Sequence, residues 1–117
     1  MPPEGRDPAY LLDMLLAARQ AIAFLGARDK AALEVDALVL SAVEHQLIVL
    51  GEAARRVSAD FKERHPEVVW TRPVGMRNVL VHDYGTIEVG EVVQTVRVDL
   101  PALVQQLTLL VPREPEV

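Results

Sequence analysis

Leu11, Leu15, Ala18, Ile22 and Leu25 follow one another in alternating steps of four and three residues. The same rhythm returns in Leu40, Val43, Leu47, Leu50, Ala54 and Val57, and again in Val89, Val93, Val96, Leu100, Leu103, Leu107 and Leu110. Such steps gather each set on one side of an α-helix, so the pattern predicts three amphipathic helices. The first is expected from about Pro8 to Leu25, with Asp7 as N-cap, a proline at the first helical position and an end near Gly26. The second is expected over about Ala31 to Ser58. Gly51 falls in its middle, where glycine costs up to about 1 kcal/mol against alanine, which implies close approach by another backbone. The valines of the last segment would also suit a strand, yet its sustained periodicity favours helix; Pro101 lacks an amide donor and predicts a kink or break near Asp99.

Between the second and last helices, Phe61 to Arg64 reads as a short helical turn and His65-Pro66 to Trp70 as a loop that redirects the chain. A further helix should run from Thr71 or Arg72 to Tyr84 and close at Gly85. The expected fold is therefore all-α, an antiparallel bundle of four to five helices in a single domain over residues 1–117, with ends fraying at about 1–6 and 112–117. Leu38, Val39, Ile48 and Val49 lie beside the stripe of the second helix and give it more apolar circumference than a small bundle covers, which predicts a homodimer.

Composition narrows the function classes. The chain contains no cysteine, which removes disulfides, thiolate nucleophiles and cysteine metal sites. The start, Met1-Pro2-Pro3-Glu4-Gly5-Arg6-Asp7, has neither the basic nor the apolar region of a signal peptide. Val35 to Leu50 is interrupted by Asp36, Ser41, Glu44, His45 and Gln46, short of the roughly 18 uninterrupted apolar residues of a membrane span. A soluble cytoplasmic protein is the expectation. The net charge of -5 argues against nucleic acid, but six cations and three carboxylates fall between Arg55 and Arg77, giving +3 there and -8 elsewhere. Arg55, Arg56, Lys62, Arg64 and Arg72 are thus candidate RNA contacts, or simply a solvated face.

The densest chemistry lies in Arg77-Asn78-Val79-Leu80-Val81-His82-Asp83-Tyr84. Arginine offers a permanent forked cation suited to phosphate, and histidine exchanges a proton near neutral pH. At 100° per residue Arg77, Asn78, His82 and Tyr84 fit within an arc of roughly 160°, so one helix surface can present all four while Val79 and Leu80 anchor the other side. RNA brings its own 2'-hydroxyl nucleophile, so cleavage needs a base, an acid and a cation on the phosphate. His82 suits base or acid, Arg77 suits the phosphate, and Asn78 could orient the imidazole. The plainer alternatives are a histidine held by the helix dipole, a salt-bridged arginine and a tyrosine that closes the core. His45 reads as a core-edge or interface residue, His65 as a loop residue, and Glu44 with Glu52 as a solvated stripe. None of these forms a metal-ligand pattern, so neither metal nor cofactor is expected.

With Gly51-Glu52-Ala53, Pro66-Glu67-Val68-Val69-Trp70, Gly75-Met76-Arg77-Asn78, His82-Asp83-Tyr84 and Asp99-Leu100-Pro101 in this order, the chain resembles the HepT toxins of the HEPN superfamily over nearly its whole length. The resemblance implies a dimeric helical bundle acting as a metal-independent endoribonuclease, with Arg77 and His82 in the active site. It also implies that Tyr84 is the residue to which a partner antitoxin, the minimal nucleotidyltransferase MntA, adds AMP. Val79 stands where relatives often carry a basic residue. Two function classes follow: a ribonuclease toxin neutralised at Tyr84, which the sequence favours, and a non-catalytic helical dimer that binds a nucleotidyltransferase.

Overall fold

The computed structural model describes residues 5–82 and 87–112. Among them every regular element is helical: α1 (Asp7–Leu25), α2 (Lys30–Glu34), α3 (Ala37–Arg56), α4 (Ala59–Arg64), α5 (Thr71–His82), α6 (Val89–Gln94) and α7 (Leu100–Leu110). A π-helical turn, Thr95–Asp99, joins α6 to α7. The long members α1, α3, α5 and the α6–α7 arm form the bundle, and α2 and α4 turn the chain at its corners. At 20 Å in its thinnest direction, the molecule is two helix diameters deep.

The periodic residues build the core as their spacing requires. Leu11, Leu15, Ala18 and Leu25 of α1 are buried with Val43, Leu47, Leu50 and Ala54 of α3, and with Val96, Leu100, Leu103 and Leu107 of the last arm. By length and mean hydropathy α1 and α3 would also pass as membrane spans. Here their apolar faces are spent on each other, in the most extensive helix contact of the fold.

Three expectations need correction. Asp7 does not cap α1; the helix begins at Asp7 itself, and the side chain turns inward to 7% exposure. Its Oδ1 accepts from the Ser58 amide at 2.8 Å and its Oδ2 from the Ser58 hydroxyl at 2.6 Å. The same hydroxyl oxygen accepts from the Phe61 amide and so caps α4. One carboxylate thus pins the start of α1 to the corner between α3 and α4.

The second helix is not continuous from Ala31 to Ser58, because two aspartates each start a helix of their own. Asp29 accepts from the Ala32 amide at 2.8 Å and Asp36 from the Val39 amide at 3.1 Å, the N-cap geometry that aspartate favours. His45, finally, is exposed on α3 and contributes nothing to the core.

The break expected near Asp99 takes the form of the π turn. The Leu100 amide bonds back five residues to the Thr95 carbonyl, one residue before Pro101 would have left the ladder without a donor. The loop after α4 is fastened at several points. The Trp70 indole donates to the His65 carbonyl at 2.9 Å, its ring meets Phe61 edge-on, and Gln106 donates to the Glu67 carbonyl at 2.8 Å. Parts of both ends expected to fray lie outside the described residues.

Replacing Asp7 with alanine strands the Ser58 amide in a buried corner, so a loss of about 1–3 kcal/mol is expected in urea denaturation. A change below about 0.5 kcal/mol would mean that the corner holds without this link.

Candidate active site

Helix α5 is an unusual element, for Pro73 is its one fully buried residue among those described. Its support comes from α3, and the contact centres on Gly51. A Cβ at Gly51 would lie 2.2 Å from the Arg77 Cβ and 2.6 Å from the Pro73 carbonyl oxygen. The glycine predicted to admit a second backbone therefore admits α5, and what sits in its gap is the stem of Arg77.

The guanidinium of Arg77 is fixed from two sides. Its Nη2 meets Glu52 Oε1 at 2.5 Å, and its Nη1 donates to Asn78 Oδ1 at 3.0 Å. The side chain is 20% exposed, and its Nε is buried with no partner among the described residues. Asn78 is thus engaged with Arg77 through its amide oxygen, which corrects its expected role of orienting the imidazole. His82, the last described residue of α5, is exposed. Val79 is half-buried and lines a groove, whereas Leu80 packs on the core as expected. Tyr84 and the cap at Gly85 lie outside the described residues.

Glu52 is the residue that sequence reasoning missed. Far from belonging to a plain solvated stripe, it gathers three arginines: Oε1 takes Arg77, while Oε2 takes Arg55 at 3.1 Å and Arg56 at 3.9 Å. The hydrogen bond from Arg55 and the charges of Arg77, Arg55 and Arg56 hold its carboxyl below the ordinary value, against the opposing push of burial. Burial moves the Glu44 carboxyl the other way, so the two glutamates of the supposed stripe have different surroundings. The spacing to Arg55 and Arg56, three and four residues on, is legible in the sequence. The link to Arg77 arises only when α5 docks.

The remaining cations do not form one stripe. Arg64 pairs with Asp60 and lies over the Phe61 ring, Lys62 reaches the Arg55 carbonyl, and Arg72 pairs with Asp99 at the far edge of α5. Arg55 and Arg56 are the ones brought beside Arg77. They border a polar depression of about 440 Å³ that also includes Tyr10, Asp13 and Glu52. Between α5 and the α6–α7 arm runs a second, largely apolar groove of about 600 Å³, lined by Leu50, Pro73, Met76, Val79, Val98 and Leu103 among others.

Comparison with known proteins agrees with this arrangement. The family model described as "Ribonuclease HepT-like" matches residues 14–110. The chain is 31% identical over 102 residues to "Putative RNase MJ1380" of Methanocaldococcus jannaschii, covering 87% of this chain and 94% of that protein. It is 39% identical over 62 residues to "Probable ribonuclease HepT" of Thermococcus cleftensis, covering 53% of this chain and 56% of that one. No solved structure matches. The chain belongs to the HepT-like ribonuclease family.

Two outcomes test this geometry. Gly51→Ala should lose about 1–3 kcal/mol in denaturant midpoint, because backbone and a Cβ stand in the way; a gain, as for an ordinary helical glycine, would contradict the close seat. Glu52 has its carboxyl lowered in the folded state, so its contribution is full above the ordinary value of 4.5 and fades as pH falls through the folded value. Glu67, lowered by its hydrogen bond with His65, acts with the same sign. Thermal melting of Glu52→Gln should therefore show a shallower acid dependence below about pH 4.5 than wild type, with the Glu67 part retained.

Proposed function

We propose that the chain is a metal-independent endoribonuclease toxin in which Arg77 and His82 carry the reaction. The observation that supports this most is the state of α5: a guanidinium held in a fixed direction by Glu52 and Asn78, and an exposed imidazole one and a half turns further along. The family and the names of its relatives support RNA as the substrate. In the reaction, the 2'-oxygen attacks the adjacent phosphorus as a base removes its proton. The bond from phosphorus to the 5'-oxygen breaks, and an acid returns a proton to that oxygen. His82 serves one of these proton steps. Arg77 binds the phosphate and stabilises the charge that develops on its oxygens.

Arg77 and His82 are five residues apart, about 140° around the helix axis and 7.5 Å along it. Arg77 faces α3 and His82 faces solvent, so a second copy of the chain would supply the missing proton carrier across a shared cleft. This geometry favours a homodimer with two copies of α5 facing one another. AMP placed on Tyr84 by an MntA-like nucleotidyltransferase would add bulk and negative charge beside the arginine and exclude the RNA phosphate. The reading places the protein in the cytoplasm with its antitoxin. The open apolar groove beside α5 favours a second reading, a non-catalytic dimer that binds a nucleotidyltransferase through this face.

Purified protein, with Tyr84 shown to be unmodified by intact mass, should cleave total RNA in EDTA. Arg77→Ala and His82→Ala should each lower the rate by about 10²–10⁴-fold while remaining helical by circular dichroism. No cleavage by unmodified wild type would overturn the enzyme reading and leave the binding module.

A further inference from the structure

We propose that Glu52 is the positioning residue of the site: it aims the Arg77 guanidinium and keeps it at the phosphate. The proposal rests on the ribonuclease reading given above.

The argument begins with how little else could fix this side chain. Arginine has a long flexible stem, and α5 is open on the side away from α3. The gap at Gly51 sets the origin of the stem, because the Arg77 Cβ occupies the space that any larger residue would fill. Beyond that point, direction depends on the head group. Glu52 is the next residue of the same helix, so the residue that seats the stem and the residue that holds the head are adjacent on one rigid element. Glu52 itself is steady, with a 27% exposed side chain bound on both oxygens.

Counting donors shows that the contact leaves the arginine competent. Each terminal nitrogen carries two N–H groups. Glu52 takes one from Nη2 and Asn78 takes one from Nη1, so one on each nitrogen remains for a phosphate. Counting charges gives the same answer. A single carboxylate faces Arg55, Arg56 and Arg77, which leaves the cluster with two positive charges in excess. Glu52 therefore orients Arg77 without abolishing the attraction for an anion. The three arginines also differ in freedom. The Arg55 and Arg56 side chains are 55% and 58% exposed and can turn toward an approaching strand, whereas Arg77 is 20% exposed and stays.

A carboxylate that acts through Arg77 has a signature that a merely stabilising ion pair lacks. It should alter the chemical step in folded, saturated enzyme, and it should matter only while Arg77 is present. The experiment is steady-state and single-turnover cleavage of a mixed-sequence fluorophore–quencher RNA oligonucleotide by wild type, Glu52→Gln, Glu52→Ala, Glu52→Asp, Arg77→Ala and the double variant with Glu52→Ala and Arg77→Ala. Thermal melts establish the folded fraction of each.

The expected result is a kcat loss of about 10–100-fold for Glu52→Gln and Glu52→Ala, the range found for residues that orient a reacting group, with KM changed less than about threefold. Glu52→Asp keeps the charge on a shorter arm and should recover part of the loss. In the double variant the Glu52 substitution should add less than about threefold to the Arg77 loss. Unchanged kcat in folded Glu52→Gln, or losses that multiply in the double variant, would overturn the proposal. Failure of all three Glu52 variants to fold would assign the residue to stability alone and overturn it as well. Wild type that does not cleave is a distinct outcome, since it removes the ribonuclease reading itself.

Discussion

The meeting of α3 and α5 at Gly51 is the constraint on which the candidate site depends. Helix α5 has little buried surface of its own, so its place is decided by shape more than by hydrophobic area. A missing side chain at one position lets two backbones and an arginine stem share a volume that alanine would occupy. Close approach then brings Glu52 within reach of a residue twenty-five positions later in the chain. Packing and electrostatics are coupled here, because the ion pair cannot form unless the helices touch, and the helices touch where the glycine allows it.

The main lines of the fold were legible in the sequence because they rest on periodicity. The three apolar sets occupy the core, Gly51 admits another backbone, and Pro101 disturbs the last helix near Asp99. The errors have physical causes of a different kind. Asp29 and Asp36 stop and restart a helix through single hydrogen bonds, which a stripe of apolar residues does not reveal. Asp7 has the residue type of an N-cap but finds a partner fifty-one residues away. In the candidate site, the positions of Arg77 and His82 on one helix could be read from spacing, whereas the pairing of Arg77 with Glu52 and with Asn78 required the tertiary structure.

Net charge proved a poor guide to local potential. The chain is acidic as a whole, yet three guanidinium groups converge on one carboxylate at the end of α3. Arg64 and Arg72, counted in the same basic stretch, are drawn off to Asp60 and Asp99. A phosphate sensing this surface at short range meets the cluster before it senses the total, since salt screens charges beyond roughly 8–10 Å.

The π turn at Thr95–Asp99 has a bearing on how the chain can vary in length. One extra residue in that turn shifts the angular phase of everything after it by about 100° relative to an unbroken α-helix. Leu100, Leu103 and Leu107 reach the core because of this offset, while Val92 and Val96 reach it from the phase before. Deleting a single residue there would restore a regular helix and at the same time swing the second set of leucines toward solvent. Insertions and deletions are therefore excluded from this segment by geometry, even though it is neither at the candidate site nor at the centre of the core.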